Sequence, residues 1–525
     1  MVLLEEKTYE EILKARQALA DENACLKAEV QWYREQFGLA QKRLYGPSSE
    51  KSPIGQEEML FNEAEACASD IISDPVTETI TYTRAKKTKG RREQQLEGLP
   101  VEEINYELTD ADLVCPKCGG PLHKIGVDTS QEITIYPARV VLTKHNQDKC
   151  SCRDCERNGV ANPIVTAPMP VPAFKNSLAS PSAVAYIMSQ KYVEGLPLYR
   201  QEQSLRRLGF ELSRKVMSNW VIMGAELLEV IFNRMKALLL KRDLMAADET
   251  PLQVLHEEGR KAQQKSYMWL YRSSRDGPPI VLYEYKETRA AEHPRAFLAG
   301  FVGYLHVDGY QSYDGLPNII LVGCWAHARR NFVDALSVLS PMQRKSANTA
   351  AGKALVYCNK LFAIERDLQD ATPDERLAGR QARSKPVVEE FHAWLVEMQP
   401  QVLDKSPTRE AIQYCLNQWD KLIAFLLDGR LELSNNRAER SIKPFVIGRK
   451  NWLFANTPRG ADASAIVYSI VETAKENGIN PLTYLTYLFE QLPNIKWTDE
   501  NLDQLMPWAE PIQKAHRVIP TTNRR

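Results

Sequence analysis

The sequence predicts an α/β protein whose mixed β-sheet carries a large helical insertion and is preceded by smaller helical and metal-binding modules. Three observations support this prediction. Strand patterns concentrate in residues 243–340, helical patterns fill most of the remaining chain, and two CxxC pairs lie in residues 101–160. A chain of 525 residues is too long for one ordinary domain, so about three or four domains are expected.

Composition limits the class of protein. Apolar residues make up 44% and charged residues 26%, a balance typical of globular domains. No apolar run reaches 18 residues and the N-terminus lacks a signal-peptide pattern, so we expect a cytoplasmic protein with no membrane partner. Lys plus Arg and Asp plus Glu both total 67, so nucleic-acid binding would depend on local basic clusters. Ten cysteines in such a chain favour thiols or metal ligands over disulfides.

Residues 1–45 are predicted to contain one long helix, over about 8–45, that self-associates as a coiled coil. Apolar residues recur every seven positions, at Ile12, Leu19, Leu26 and Tyr33. Polar Arg16 and Asn23 share the second seam, and such residues fix pairing and register at a cost in stability. The alternative is an amphipathic helix that packs on its own domain. We favour the coiled coil, and therefore a homodimer or a higher oligomer.

Residues 46–100 are predicted to be a flexible linker that carries a basic arm. Gly46-Pro-Ser-Ser and Ser52-Pro-Ile-Gly break regular structure. Residues 84–92 contain six basic residues in nine and no acid, a composition that can neutralise DNA phosphates. The candidate contacts are Lys86, Lys87, Arg91 and Arg92. A solvated linker is the simpler alternative, and the arm alone does not exclude it.

Residues 101–160 are predicted to form a zinc-binding module similar to a zinc ribbon. Two CxxC pairs supply four thiolates, which is the ligand set of a structural, tetrahedral zinc ion. These ligands are Cys115, Cys118, Cys152 and Cys155. The segment between the pairs is longer than in compact zinc modules. Cys150 is a spare thiol that could replace Cys152, so one ligand remains open.

Residues 176–242 are predicted to form a helical DNA-binding domain. Ser213 is placed to cap a helix, and Gly209 separates that helix from the preceding one by a short turn. This spacing is typical of a helix-turn-helix, in which the second helix meets DNA. Arg214 and Lys215 begin that second helix. A plain helical bundle is an equally good interpretation.

Residues 243–340 are predicted to be the first part of a core domain with five strands. The strand patterns are Leu244–Leu255, Ser266–Tyr271, Pro279–Tyr285, Phe301–Val307 and Ile319–Val322. Helices are expected near 290–298 and from Cys324 onward. Three meander strands followed by helix, strand, helix, strand and helix is the order of an RNase-H-like fold, so we predict that fold.

The remaining chain is predicted to be mainly helical. Residues 341–430 are charge-rich, show no strand pattern and are interpreted as an insertion into the core. Residues 431–478 are expected to complete the core, and residues 479–525 to form a C-terminal helix and tail.

Two aspartates stand in or directly after predicted strands of this core. Asp248 lies within the apolar first strand, and Asp308 directly follows the fourth. A buried aspartate needs a partner or a metal ion, and Mg²⁺ prefers carboxylate oxygens. Phosphodiester chemistry with two metal ions needs carboxylates from several elements. We therefore predict two Mg²⁺ (or Mn²⁺) ions at this site, with ordinary turn aspartates as the alternative.

Glu439 is the preferred third acid. Its helix is expected to be capped by Ser434 or Asn435 and to end at Pro444. A surface ion pair with Lys443, one helical turn away, is the simpler alternative for this residue. The competing acids are Glu432 and Glu472.

Seven short motifs stand out in combination: Ala247-Asp-Glu-Thr-Pro251, Val307-Asp-Gly-Tyr310, Cys324-Trp-Ala-His-Ala-Arg-Arg330, Asn435-Asn-Arg-Ala-Glu-Arg440, Gly448-Arg-Lys-Asn-Trp-Leu-Phe454, Cys115-Pro-Lys-Cys-Gly-Gly120 and Leu196-Pro-Leu-Tyr-Arg-Gln-Glu202. Together they resemble the transposases of the insertion sequence 66 family, over nearly the whole chain. The resemblance implies a bacterial DDE transposase in which Asp248, Asp308 and Glu439 are the catalytic triad.

The resemblance also implies a two-step reaction on double-stranded DNA. A water activated by metal cleaves the phosphodiester at the element end, and the freed 3′-hydroxyl then attacks target DNA. A homo-oligomer would hold two ends together on the bacterial nucleoid, and accessory proteins encoded by the same element are further implied partners. The alternative functions are a structure-specific nuclease and a catalytically inactive zinc-finger regulator.

The same motifs carry the candidate DNA contacts of the core. Cys324 and His327 resemble a C-x-x-H element of related transposases, in which His327 would contact DNA near the cut. The alternative is a helix-start histidine that is satisfied locally. Further basic candidates are Arg329, Arg330, Arg440, Lys443, Arg449 and Lys450.

Overall fold

The computed structural model describes residues 16, 140–151, 164–337 and 349–518. The predictions for the coiled coil beyond Arg16, the basic arm, the four CxxC cysteines and the C-terminal tail lie outside these residues. The chain divides into two units, one of Met1–Ile72 and Gln147–Val518 and the other of Ser73–Asn146 and Ile519–Arg525. Of the second unit only residues 140–146 are described, and all of them are exposed.

Within the described residues of 147–242, a short ribbon and three helices precede the main sheet of the first unit. The ribbon pairs β1 (Lys149–Ser151) antiparallel with β2 (Ile164–Thr166). The helices are α1 (Pro181–Tyr192), α2 (Leu198–Arg207) and α3 (Arg214–Leu239), and Ser213 caps α3 through the Val216 N–H. One face of α3 is buried in the apolar core, whereas Arg214 and Lys215 in its first turn are exposed.

Five strands form the main sheet: β3 (Leu244–Gln253), β4 (Lys265–Ser273), β5 (Val281–Lys286), β6 (Gly303–His306) and β7 (Ile319–Val322). Their order in the sheet is β5-β4-β3-β6-β7. The first three strands pair antiparallel, whereas β6 and β7 run parallel to β3. This mixed sheet confirms the predicted α/β class, and each strand begins within two residues of its predicted start.

The connection between β6 and β7 differs from the prediction. A single 3-10 turn at Gln311–Tyr313 replaces the expected helix. Residues 307–318 have to cross between two parallel strands, and Gly309, Gly315 and Pro317 within them disfavour a helix. Helices do follow β5 and β7, as α4 (Glu292–Phe297) and α5 (Trp325–Ser337).

The described part of the insertion is helical and shares an apolar core with α5 and the edge of the main sheet. Its helices are α6 (Ala350–Asp367), α7 (Pro373–Gly379), α8 (Lys385–Met398), α9 (Pro407–Asn417) and α10 (Trp419–Ile423). Trp325, at the start of α5, packs against Phe391 and Phe425 in this core. Its indole Nε1 also donates to the Leu422 carbonyl at 2.8 Å. The insertion therefore holds the beginning of α5 in place.

Helix α11 (Asn436–Trp452) returns the chain to the main sheet. The predicted end at Pro444 is wrong, because the helix continues through this proline for about two more turns. Pro444 removes one backbone hydrogen bond. Phe445 and Gly448, in the turn that follows it, are buried and hold the helix against its neighbours. Asn435 is the N-terminal cap residue, yet its side chain makes no capping bond.

Four helices complete the described chain: α12 (Pro458–Glu476), α13 (Pro481–Gln491), α14 (Asp499–Asp503) and α15 (Glu510–His516). Helix α12 lies along the edge strand β5, where Ser469 Oγ accepts from the Tyr283 N–H at 2.8 Å. Thr473 Oγ1 likewise accepts from the Val281 N–H at 3.0 Å. These bonds satisfy backbone groups at the sheet edge. Among the described helices, none is both long and apolar enough to cross a membrane.

Candidate active site

Asp248 and Asp308 are neighbours at the point where the parallel pairing of β3 and β6 ends. The register pairs Ala246 with His306, and each aspartate lies two residues beyond its member of that pair. Paired strands run about 4.8 Å apart, so the two side chains emerge close together. Backbone groups orient both carboxylates: Asp248 Oδ1 accepts from the Glu249 N–H at 2.8 Å, and Asp308 Oδ1 accepts from the Tyr310 N–H at 2.9 Å.

Glu439 reaches the same place from the first turn of α11. It is only 8% exposed, so the surface position of the simpler alternative does not apply. Asn435 ties the start of α11 to the sheet, because its Nδ2 donates to the carbonyl of Ala247 at 2.9 Å. Ala247 directly precedes Asp248, so this bond fixes the position of Glu439 relative to the first aspartate.

The three carboxylates influence one another electrostatically. Burial, the adjacent Glu249 and the carboxylates of Asp308 and Glu439 together raise the pKa of Asp248 well above its usual range. Such mutual repulsion is unfavourable unless a cation or a proton compensates it. Glu439 Oε1 is buried and has no hydrogen-bond partner among the described residues. A cluster of hard oxygen donors with an unpartnered buried oxygen fits divalent cations such as Mg²⁺ or Mn²⁺.

Both carboxylate oxygens of Glu439 also lie near residues of α5. His327 Nδ1 lies 3.6 Å from Glu439 Oε1, and Arg330 Nη2 lies 3.4 Å from Glu439 Oε2. Burial alone would lower the pKa of His327, but the Cys324 sulfur and the Glu439 carboxylate outweigh it and raise this pKa to about 9. His327 is therefore cationic at neutral pH in the absence of a bound metal ion. Its side chain is 28% exposed and that of Arg330 is 40% exposed, so solvent can reach both.

Glu249 occupies the opposite side of β3 and belongs to a network that sequence reasoning missed. Its Oε2 accepts from the Tyr313 hydroxyl at 2.6 Å, and its Oε1 accepts from Arg289 Nε at 2.8 Å. The Arg289 guanidinium lies 3.3 Å from the centre of the Tyr310 ring. Tyr310 follows Asp308 by two residues, so the network holds the loop that carries the second aspartate. No local pattern announces it, since Arg289 comes from a loop 40 residues beyond Glu249.

Comparison with known proteins identifies the family. The model of the Transposase IS66 family matches residues 176–463, which include all three carboxylates. The chain belongs to the IS66 transposase family. Three further models match this transposase: the IS66 C-terminal element over residues 469–508, the zinc-finger binding domain of transposase IS66 over 112–156, and the Transposase C of IS166 homeodomain over 32–104. The resemblance inferred from the motifs is confirmed.

Three proteins of one organism are similar to this chain over most of their length. The transposase is 32% identical over 527 residues to the protein y4qI of Sinorhizobium fredii (strain NBRC 101917 / NGR234), covering 94% of this chain and 92% of that protein. It is 31% identical over 408 residues to y4jD of the same organism, covering 75% of this chain and 77% of the other. A third protein of that organism, y4hP, is 28% identical over 490 residues, covering 89% and 86%.

The competing acids of this transposase are engaged elsewhere. Glu432 pairs with Arg275 at 2.6 Å and with Arg437 at 2.9 Å. Burial alone would raise the pKa of Glu432, but these cations bring it down to about 2. Glu472 pairs with Lys475 at 2.9 Å on α12. Neither acid is among the groups that raise the pKa of Asp248.

Some basic candidates of the transposase are accessible to solvent, whereas others are bonded to groups within the protein. Arg440 and Lys450 are exposed and Lys443 is half-buried, all on α11. Arg449 is half-buried and donates to Thr250 Oγ1 at 3.2 Å. Arg329 is buried and donates to Asn359 Oδ1 at 2.9 Å, so it faces the insertion rather than the surface. The candidates Lys86, Lys87, Arg91 and Arg92, like the ligands Cys115, Cys118, Cys152 and Cys155, lie outside the described residues.

Proposed function

We propose that this transposase binds the ends of its element and catalyses DNA cleavage and strand transfer at the cluster of Asp248, Asp308 and Glu439. One observation carries the proposal: three acids from β3, the end of β6 and α11 converge, and the latter two raise the pKa of the first. We further infer an RNase-H-like core. Its support is an antiparallel meander of three strands followed by two parallel strands on the other side of β3.

The chain itself would supply ligands, orientation and charge. Bound Mg²⁺ or Mn²⁺ ions would supply Lewis-acid stabilisation of the attacking and leaving oxygens of an in-line displacement. Asp248 and Asp308 are held by backbone N–H groups, which leaves their other oxygens for cations. The partly exposed Arg330 lies beside Glu439, where its guanidinium suits contact with a DNA phosphate. No nucleophilic side chain is needed, because a water and then a 3′-hydroxyl attack the phosphorus.

A stripe along α11 supports a DNA path that leads away from the carboxylates. Lys443, Ile447 and Lys450 follow Glu439 at steps of four, four and three residues, so all four lie on one face of the helix. Arg440 adjoins the same face. Ile447 and Lys450 are exposed, so this face of the helix is accessible to DNA. We propose that this stripe and Arg330 follow the DNA backbone from the cleavage site.

The N-terminal part would contribute end binding and assembly. A structural zinc ion is proposed at Cys115, Cys118 and Cys155 with Cys152, or with Cys150 in its place. The exposed first turn of α3, with Arg214 and Lys215, supports a helix-turn-helix role. The coiled coil, the homo-oligomer and the accessory proteins of the same element remain part of the proposal, since strand transfer has to hold two DNA ends together.

A strand-transfer assay tests this function. Element ends that are already cleaved should be joined to target DNA by the wild type, which separates a transposase from a nuclease that only cuts. Asp308→Ala should abolish cleavage and joining while binding of the ends survives, because the change removes a cation ligand and leaves the DNA contacts in place. Cleavage by Asp308→Ala in Mg²⁺ would refute the proposed site. Cleavage without joining by the wild type would favour the nuclease.

A further inference from the structure

Cys324, His327 and Glu439 form a second cluster of metal-ligating side chains. One ligand atom from each lies within 4.8 Å of the other two. Cys324 directly precedes α5, His327 lies in the first turn of that helix, and Glu439 comes from α11. The C-x-x-H spacing places two ligands on one helix start, and the third ligand arrives from the helix packed beside it.

Two buried atoms of this cluster have no hydrogen-bond partner among the residues that the structure describes. They are His327 Nδ1 and Glu439 Oε1, which lie 3.6 Å apart. Two such ligands on one tetrahedral zinc ion, each bonded at about 2.1 Å, would lie about 3.4 Å apart. Glu439 is also more than nine-tenths buried, at 8% exposure. Buried polar atoms are rarely left unpaired. The 3.6 Å between His327 Nδ1 and Glu439 Oε1 is close to the distance between two ligands of one ion.

The surroundings of the Cys324 sulfur suit a metal ligand. Cys324 is a buried, free cysteine. Its Sγ accepts the Asn435 N–H at 3.1 Å, and the N-terminal end of the 13-residue helix α5 stabilises negative charge at the same position. A thiolate and an imidazole are soft or borderline donors, which suit Zn²⁺ and Co²⁺ and do not suit Mg²⁺.

We propose that Cys324, His327 and Glu439 form a site for thiophilic divalent cations such as Zn²⁺, separate from the carboxylate site but sharing Glu439 with it. Three protein ligands leave one position of a tetrahedral ion open, and the 28% exposure of the His327 side chain gives solvent access to it. An ion held here uses the Oε1 atom of Glu439 as a ligand. Occupancy then competes with Mg²⁺ at Asp248 and Asp308, a consequence that rests on the proposed function.

Co²⁺ binding to the full-length chain tests the site without any assay of transposition. The wild type is expected to bind one more equivalent of Co²⁺ than Cys324→Ser, with a thiolate-to-cobalt charge-transfer absorption that the variant lacks. The difference between the two proteins removes the contribution of the N-terminal cysteines, which both contain. Cys358→Ser is the matched control, because Cys358 is also a buried, free cysteine of the same apolar core, and it should bind Co²⁺ as the wild type does.

A second variant guards against misfolding of Cys324→Ser. His327→Gln changes a partly exposed side chain and should lose the same equivalent while the fold is kept. Equal Co²⁺ stoichiometry and equal absorption in the wild type, Cys324→Ser and His327→Gln would overturn the proposed site, whatever the protein does to DNA.

Inhibition by Zn²⁺ then tests the sharing of Glu439. At a fixed Mg²⁺ concentration, the Zn²⁺ concentration that halves strand transfer should rise about tenfold or more in Cys324→Ser relative to both the wild type and Cys358→Ser. An unchanged half-inhibiting concentration, in a variant that has lost the thiolate absorption, would contradict competition between the two sites. Failure of strand transfer by the wild type would instead count against the proposed function and leave the Co²⁺ result standing.

Discussion

Asp248 and Glu249 are consecutive residues of β3, and their carboxylates lie on opposite sides of the sheet in opposite surroundings. Glu249 is neutralised by Arg289 and receives the Tyr313 hydroxyl. Asp248 receives one backbone N–H and is otherwise surrounded by the charges of Glu249, Asp308 and Glu439, which raise its pKa. A satisfied carboxylate stabilises the fold, whereas a group of unsatisfied carboxylates is a site that waits for cations.

Asp248→Asn should produce the largest effect of any single change on β3. It removes a charged cation ligand, so strand transfer should fall about 1000-fold or more. Thermal stability should stay the same or rise, because the change also removes repulsion among the carboxylates. Strand-transfer assays and thermal unfolding of the same preparation measure both quantities. Lost activity that coincides with a lower melting temperature would make Asp248 a structural residue.

Glu249→Gln should give the reverse profile. The amide keeps an acceptor for Tyr313 but leaves Arg289 without its charged partner, so the free energy of unfolding should fall by about 1–2 kcal/mol. Activity should fall only about tenfold, through a looser Asp308 loop. Urea unfolding and strand transfer give the comparison, and Glu292→Gln, an exposed acid near the same loop, is the control. If Glu249→Gln lost as much activity as Asp248→Asn, the contrast between the two sides would fail.

The dependence of stability on pH should report on the charges around Asp248, although burial and the Asp308 carboxylate raise the pKa of Glu249 as well. The pKa of Asp248 is raised in the folded state, first by burial and then by its acidic neighbours, so protonation favours folding. Without Mg²⁺ or Mn²⁺, the contribution of Asp248 to the free energy of unfolding should decrease as pH rises from about 4, the usual pKa of aspartate, through the raised value. Unfolding of wild type and Asp248→Asn at several pH values isolates this contribution. If the difference in free energy of unfolding between the two proteins did not change with pH, the raised pKa of Asp248 would be contradicted.

Asn435→Ala should have the smallest effect. It removes the hydrogen bond from Asn435 Nδ2 to the Ala247 carbonyl and should cost about 1 kcal/mol of stability. Because that bond sets the distance between α11 and Asp248, the Mg²⁺ concentration needed for half-maximal activity should rise a few-fold. Titration of activity with Mg²⁺ checks this expectation. A stability loss with an unchanged Mg²⁺ requirement would restrict Asn435 to holding the fold.

The two aspartates of the site could be predicted because each lies in or next to a strand pattern. An aspartate inside the apolar run 244–255 and another directly after 301–307 are conspicuous, and the parallel register of β3 and β6 brings them together. Local sequence made Glu439 the preferred third acid, but it did not exclude a surface ion pair with Lys443. The resemblance to IS66 transposases singled it out, and its burial and its effect on the pKa of Asp248 now support the choice.

The parts that could not be predicted depend on contacts between distant segments. The Glu249, Arg289 and Tyr310 network joins three loops and strands, and no period in the sequence links them. Helix α11 passes through Pro444 because buried neighbours compensate for one missing hydrogen bond, a balance that proline rules alone do not contain. The short connection between β6 and β7 contains glycine and proline, and it forms a 3-10 turn in place of a helix. The prediction followed the element order of the fold and gave too little weight to these residues.

The most direct test of the central claim replaces a carboxylate with a softer ligand. Asp308→Cys should be inactive in strand transfer with Mg²⁺, which binds thiolates poorly, and should regain part of its activity with Mn²⁺. Asp314→Cys, at an exposed acid six residues further along the same loop, should be active with both ions. Recovery in Mn²⁺ alone would establish Asp308 as a ligand of the ion that supports the reaction. Full activity of Asp308→Cys in Mg²⁺ would contradict the account.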